Sequence, residues 1–176
     1  MSLERIYQRF PKVPMERRAA AFFIDFVTVW LVSSFVSNLV FQMLVFMLLW
    51  LGLRVVLVST NQGQSLGRWA LDMKVLDAKY CKIPGLLTLT KREGILGFCA
   101  FLATIGVGMG LASGGFYLLL LPIPLAVDCG AAFADSEGQQ AFHDRIAQTL
   151  VIQTRRGFSL DLRLKRLVAQ MSRRMK

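Results

Sequence analysis

The chain has 176 residues, of which 55% are hydrophobic and only 18% are charged, and its formal net charge is +10. Because soluble domains carry nearer a quarter charged residues, this composition excludes an ordinary soluble domain and indicates a membrane protein. The positive charge does not indicate nucleic-acid binding, since the sequence has no zinc knuckle, basic zipper or strand of interleaved aromatic and basic residues.

Two long stretches are almost free of charge: residues 19–53 contain Asp25 alone, and residues 94–134 contain Asp128 alone. Each is about twice as long as one spanning helix of ~20 residues, so each predicts a helical hairpin. No cleaved signal peptide is expected, because the first apolar stretch is too long and no small-residue cleavage site follows it. The sequence therefore predicts an all-α membrane protein with four transmembrane helices in two hairpins, at about residues 18–36, 39–58, 93–110 and 115–134.

The distribution of lysine and arginine predicts the topology. Of the 21 basic residues, five lie in residues 1–18, one (Arg54) near the end of the second predicted helix, six in 59–93 and nine in 135–176. Under the positive-inside rule these three segments are all cytoplasmic, which requires an even number of crossings and two cytoplasmic termini. The predicted organisation is an N-terminal segment (1–17), a membrane domain (18–153) with a cytoplasmic loop (59–92), and a basic tail (154–176).

The first half of the cytoplasmic loop has the features of an interfacial element. Leu66, Trp69, Ala70 and Met73 recur at helical spacing. Trp69 beside Arg68 is a pairing typical of an element that lies on the membrane surface. We therefore expect this segment to be a short amphipathic helix at the bilayer interface.

The second half of the loop is expected to form a small β-hairpin, in which residues 74–77 pair with residues 86–89 around a turn at residues 83–85. Thr90 and Glu93 have the spacing of a capping box that opens the third helix. The loop would then orient the two helical hairpins, and a gate or a docking platform is the alternative.

Glycines and prolines predict how the second hairpin packs. Gly106, Gly110 and Gly114 are spaced four apart, which lets helix backbones approach closely in lipid. Packing within the chain is favoured for these glycines, and self-association is the alternative. Pro122 and Pro124 remove backbone donors and should kink the fourth helix.

Asp128 and the three cysteines indicate less about the function of the chain. Asp128 lies in the last two turns of the fourth predicted helix, where a hydrated helix end is expected and a second site acid is the alternative. The three cysteines form no disulfide framework. With a single histidine, His143, and no paired cysteine spacing, neither a zinc site nor another cofactor is expected.

The tail has the composition of a basic amphipathic helix. Leucine, valine and methionine residues between 160 and 175 fall near one helical face. Such a helix suits an anionic lipid surface, to which each basic residue contributes roughly 1 kcal/mol, and an acidic protein partner is the alternative. The basic residues expected at the surface are Arg163, Lys165, Arg166, Arg173 and Arg174.

Three segments together resemble a known family. Residues 17–25 read RRAAAFFID, residues 63–77 read GQSLGRWALDMKVLD, and residues 141–152 read AFHDRIAQTLVI. In this order and spacing they resemble the RDD family of bacterial integral membrane proteins, which is named for an arginine and two aspartates. The resemblance covers most of residues 15–153.

The resemblance implies that the signature residues are Arg18, Asp25 and Asp144, and that the chain lies in a bacterial cytoplasmic or internal membrane. Members of the family have been linked to cation/proton antiport. One departure is Asp72, which stands where a glycine is common in the family.

Asp25 has two interpretations. A carboxylate in the bilayer interior costs roughly 2.5–3.5 kcal/mol, so Asp25 is either a proton or cation site or a packing residue that accepts hydrogen bonds from a neighbouring helix. Arg18 lies two helical turns earlier, and we expect it to meet Asp144 and latch the segment after the fourth helix. A purely topogenic role is the alternative for Arg18. The secondary candidates for the site are Asp128, Arg68, Arg92 and His143.

We expect no enzymatic activity, because the sequence shows no converging nucleophile, base and orienting residue. The favoured function is an accessory or assembly factor that stabilises a larger membrane complex, together with a membrane-protein partner or a second copy of the chain. The alternative is a cation/proton antiporter or other small-solute transporter, acting as an oligomer with Asp25 as the proton or cation site.

Overall fold

The computed structural model describes residues 12–113, 115–135 and 139–154. The basic tail and Gly114 lie outside the described residues, so the predicted amphipathic helix of the tail stays a prediction. The elements in chain order are α1 (Met15–Ser33), α2 (Leu39–Thr60), α3 (Leu66–Ala70), β1 (Met73–Asp77), α4 (Leu86–Ser113), a 3₁₀ turn (Phe116–Leu120), α5 (Ile123–Ala134), α6 (Phe142–Ile146) and β2 (Thr149–Gln153).

Three helical segments of the described chain are long and apolar enough to cross a membrane: Leu39–Thr60, Leu86–Gly110 and Phe116–Ala134. The first predicted helix, α1, is not one of the three. It carries four charged side chains in 19 residues, three of them in its first turn. The protein is therefore mostly helical with three candidate membrane-spanning helices.

The first hairpin follows the prediction closely. The side chain of Asn38 accepts hydrogen bonds from the backbone N–H groups of Val40 and Phe41, at 3.0 and 3.2 Å, and so caps the start of α2. This confirms the predicted turn between the first two helices. Within α2, residues Gly52–Val56 form a π-helical turn, a local widening that often occurs at functional sites.

The third helix begins earlier than predicted. Helix α4 starts at Leu86 rather than near residue 93, so the proposed capping box at Thr90 and Glu93 is wrong and Glu93 is an interior helical residue. The predicted hairpin is wrong for the same reason, because residues 86–89 are helical. Leu89 is fully buried against Val55 and Val58 of α2, and this packing stabilises the two additional turns of the helix.

Strand β1 pairs instead with β2, antiparallel, with Val75 opposite Val151. The prediction of an all-α fold is wrong in this respect. Val75 and Ile152 are fully buried, and a buried backbone must satisfy its N–H and C=O groups. Pairing two distant segments meets that need, and a bridge from Lys12 to Ile152 extends the sheet.

The prolines and glycines of the second hairpin act as predicted where they are described. The helical path breaks at Pro122, between the 3₁₀ turn and α5. A Cβ on Gly106 would lie 2.6 Å from the carbonyl oxygen of Leu118, and one on Gly110 would lie 3.2 Å from Leu119 Cδ2. These two glycines therefore allow close packing within the chain.

Of the three apolar clusters among the described residues, two join α1 to the rest of the fold. The larger lies between α1, α2 and α4 and is built around Phe46 and Trp50, whose stacked rings are 5.7 Å apart. The smaller packs the sheet against the first half of α1 through residues such as Ala21, Met73 and Val151. The sheet and α3 thereby cover one end of the helix bundle, where the charged residues gather.

Candidate functional site

Eight ionisable side chains lie together at this end of the bundle, and none is more than 6% exposed. Each of the six helices contributes at least one of them. Burying so many charges is unfavourable unless they pair with one another, so their mutual contacts define the structure of the site. We refer to this set as the ionic network: Asp25, Arg54, Arg68, Arg92, Glu93, Asp128, His143 and Asp144.

Asp25 is completely enclosed and accepts from three donors. Its Oδ2 atom lies 2.9 Å from Arg54 Nη1 and 2.6 Å from Ser65 Oγ. Its Oδ1 atom accepts the backbone N–H of Gly67 at 2.7 Å. Asp25 therefore accepts hydrogen bonds from neighbouring elements, which is the arrangement that its interpretation as a packing residue predicts.

The short helix α3 reaches Asp25 because of its sequence. Ser65 precedes the helix and donates its hydroxyl to Asp25, while the same oxygen accepts the N–H of Arg68. Gly67 faces α1 so closely that a Cβ there would overlap the carbonyl oxygen of Ala21. Only a residue without a side chain allows this approach.

Glu93 is the centre of the network. Arg54 Nε lies 2.6 Å from its Oε2 atom, Arg68 Nη2 lies 2.8 Å from its Oε1 atom, and Arg92 also contacts Oε1. The Arg54 guanidinium additionally lies over the Trp50 ring, 4.9 Å from its centroid. One carboxylate therefore gathers three cations from three helices.

The charged form of Arg68 is destabilised by its burial among other cations. Burial, assisted by the positive charges of Arg54 and Arg92, lowers the pKa of Arg68 to about 9, against the opposing effect of Glu93 and Asp25. A second observation agrees with this. Within the described part of the chain, the Arg68 Nη1 atom is buried and has no hydrogen-bond partner.

A second part of the network surrounds Asp144. Both Nε and Nη2 of Arg92 lie 2.7 Å from Asp144 Oδ1, and the Thr149 hydroxyl donates to the same oxygen at 3.1 Å. Burial alone would raise the pKa of Asp144, but the charges of Arg92, His143 and Arg18 lower it to about 2. Asp144 is therefore ionised at neutral pH.

Asp128 holds His143 through two contacts. Its Oδ1 atom accepts the backbone N–H of His143 at 2.8 Å, and its Oδ2 atom contacts the ring Nδ1 atom. The ring Nε2 atom lies 3.4 Å from Arg92 Nη2. The expectation of a hydrated helix end is wrong, because α6 folds back over Asp128 and leaves it only 4% exposed.

Arg18 does not take the partner that the sequence suggested. Asp144 forms its ion pair with Arg92, whereas Arg18 donates to the carbonyl oxygens of Gln139 and Val151, the latter at 3.0 Å. The predicted direct pairing of Arg18 with Asp144 is therefore wrong, although the positive charge of Arg18 is among those that lower the pKa of Asp144. The segment after α5 is nevertheless fastened to α1, through main-chain oxygens that the residue types along the chain do not reveal.

Sequence reasoning missed Arg54 and Glu93, the residues that connect the two halves of the network. Arg54 lies near the end of the second predicted helix, outside the three basic segments, and Glu93 was interpreted as part of a helix cap. A usable signal was the presence of opposite charges near the ends of consecutive apolar helices, which an antiparallel hairpin brings to the same end.

Trp69 is half exposed, but neighbouring Arg68 points inward, so the two do not form a surface pair.

The acidic side chains of the network are occupied by hydrogen-bond donors. In residues 12–113, 115–135 and 139–154, no group of three or more His, Cys, Asp and Glu side chains is arranged to hold a metal ion. Asp25, Glu93 and Asp144 accept instead from guanidinium, hydroxyl or backbone donors.

The sequence pattern of the RDD family matches residues 12–148, most of the chain and every member of the ionic network. The chain belongs to the RDD family. No curated protein and no solved structure matches it significantly. This RDD protein is accordingly a multi-pass membrane protein, and two of its suspected signature residues, Asp25 and Asp144, anchor opposite ends of the network.

Asp72 stands where a glycine is common in the family, and its backbone has a conformation typical of glycine. Asp72 has a φ of +54°, in the left-handed region that glycine adopts most readily. Its carbonyl accepts the N–H of Thr154 at 2.7 Å, just after β2. The conformation of the turn between α3 and β1 therefore explains why a glycine suits this position.

Proposed function

We propose that this RDD protein is a non-enzymatic accessory or assembly factor that stabilises a larger membrane complex. In this proposal α1 is a fourth spanning helix, both termini are cytoplasmic, and the membrane is a bacterial cytoplasmic or internal one. The observation that carries the proposal is an interior of paired charges combined with a helix-packing face that the described part of the chain does not cover.

The unused face lies on the last spanning segment. Only 11% of the most apolar part of this segment, Phe116–Ala134, is buried against other described residues. Along it, Ala126, Gly130 and Ala134 are exposed at four-residue spacing, and nothing lies within 4 Å of a Cβ placed on Gly130. Small residues at this spacing favour close contact with another helix in lipid.

The surroundings of Asp25 support an accessory role over proton or cation transport. A transport site must exchange its ion with water, whereas Asp25 is 0% exposed. The donors of Arg54, Ser65 and Gly67 occupy its oxygens. Moving a cation through this position would require the separation of α1 from α2 and α3.

The packing of α1 supports a fourth crossing. Val29 joins the apolar cluster that contains Phe46 and Phe101. The charge of Asp25 is neutralised by Arg54, so the remaining charges of α1 lie at its first turn, where the positive-inside rule places them in the cytoplasm.

The test is the native size of the full chain, solubilised mildly from its own membrane, with co-purifying chains identified. Comigration with a larger complex at fixed stoichiometry is expected. Gly130→Leu should release the partner, whereas Gly108→Leu should not, because Gly108 is an equally open glycine on α4. A homo-oligomer without partners that moves protons or cations in proteoliposomes would contradict the proposal.

A further inference from the structure

A cavity of about 240 Å³ lies between α1, α5 and the ionic network. Its charged lining is strongly biased towards cations, because four arginines and one carboxylate line it and that carboxylate, Asp144, is already paired with Arg92. The other acids that pair with these arginines, Asp25 and Glu93, are not part of the lining. The arginines are Arg18, Arg54, Arg68 and Arg92.

Arg68 supplies a donor that points to a ligand. The side chain is only 3% exposed and lines the cavity, and its Nη1 atom has no partner in the described part of the chain. Burial and the neighbouring arginines lower its pKa to about 9, so the charged form of Arg68 is less stable there than in water, although it still prevails at neutral pH. An anion in the cavity would relieve this cost and complete the hydrogen bonds of Arg68.

Apart from His143, the rest of the lining is apolar, and it reaches the surface of the protein. Phe22 and Leu96 form inner walls, while Phe23 and Phe133 line the cavity and are 65% and 73% exposed. The volume is smaller than the roughly 300–1,000 Å³ of pockets that enclose a whole drug-sized ligand. It suits a headgroup with the start of an apolar chain that continues outward.

We propose that this cavity binds the headgroup of an anionic phospholipid, whose phosphate accepts from Arg68 Nη1 and whose acyl chains leave past Phe23 and Phe133. The combination of a desolvated cationic wall and an apolar mouth is what distinguishes this ligand from a soluble anion. The site goes beyond the accessory role, since a partner protein is not needed to fill it.

The test measures lipid binding to the delipidated full chain in detergent by native mass spectrometry. The probes are dioleoyl phosphatidylglycerol and dioleoyl phosphatidylcholine, which share their acyl chains and differ in net charge. Ala19 is exposed and lines the cavity, so Ala19→Trp should obstruct it, whereas Ala20→Trp on the adjacent exposed residue is the matched control. Arg68→Gln removes the donor itself.

Phosphatidylglycerol is expected to bind at least about tenfold more tightly than phosphatidylcholine, because both lipids carry the phosphate but the choline ammonium would place a further positive charge beside the arginines of the lining. Ala19→Trp should abolish that preference and Ala20→Trp should keep it. Equal affinity for both lipids, or equal effects of the two tryptophans, would overturn the proposal. So would displacement by millimolar inorganic phosphate, which would identify a soluble anion, or full affinity in a folded Arg68→Gln variant. If Arg68→Gln does not fold, the tryptophan pair decides.

Discussion

The backbone N–H of Gly67 donates to Asp25 Oδ1 at 2.7 Å, so a cytoplasmic-loop residue in the predicted topology is bonded directly to the one acid in the middle of α1. The contact joins two of the three segments by which the family is recognised. Arg68, the next residue along the chain, donates a hydrogen bond to Glu93 on α4. A short loop helix thus fastens α1 to α4 through consecutive residues.

Gly67→Ala should destabilise the protein by about 1–3 kcal/mol, as is typical of overpacking, because the new Cβ would overlap the carbonyl oxygen of Ala21. Thermal unfolding of the detergent-solubilised protein measures the effect. Gly94→Ala is the matched control, since that helical glycine has open space around it and alanine is favoured there by roughly 1 kcal/mol. Equal stability of the two variants would refute the close-approach explanation.

Asp25→Asn should cost roughly 3–5 kcal/mol, because it leaves the buried Arg54 guanidinium without its full counter-charge. We expect reduced unfolding temperature and reduced abundance in the membrane. Glu16→Gln, which removes an exposed acid from the same helix, should change stability by less than about 0.5 kcal/mol. A variant with normal abundance and stability but lost ion transport would instead favour a carrier role for Asp25.

The ion pair of Asp144 should produce a defined acid sensitivity. Its pKa falls from 3.8 to about 2 on folding, and a lowered carboxyl pKa contributes stability that is present above the unfolded value and lost below the folded one. The stability difference between the natural chain and Asp144→Asn should therefore be constant above about pH 4 and shrink by about 2 kcal/mol towards pH 2. A difference that does not change with pH over this range would contradict the assignment.

Asp72 offers a test of backbone strain. Both Asp72→Gly and Asp72→Ala remove the side chain, but the φ of +54° is adopted readily only by glycine. We therefore expect the glycine variant to be more stable than the alanine variant by about 1–2 kcal/mol. Chemical denaturation of the two purified variants gives the difference directly. If alanine is tolerated as well as glycine, the turn does not require the left-handed conformation.

The sequence alone determined the class of the protein and much of its architecture. Segregation of charge is a local property of the chain, so it sufficed to place α2, α4 and the helical path broken at Pro122. The order of three short segments was enough to recognise the family and to single out Asp25 and Asp144. These inferences needed no knowledge of which residues meet.

The tertiary structure decided which charges pair. Asp25 pairs with Arg54, and Asp144 with Arg92, because antiparallel helices bring distant positions to one end of the bundle. Likewise, β1 pairs with β2 rather than with the predicted partner, residues 86–89. Neighbouring sequence could not reveal these partners, since a buried charge or strand edge takes whichever complementary group the packed helices place within reach.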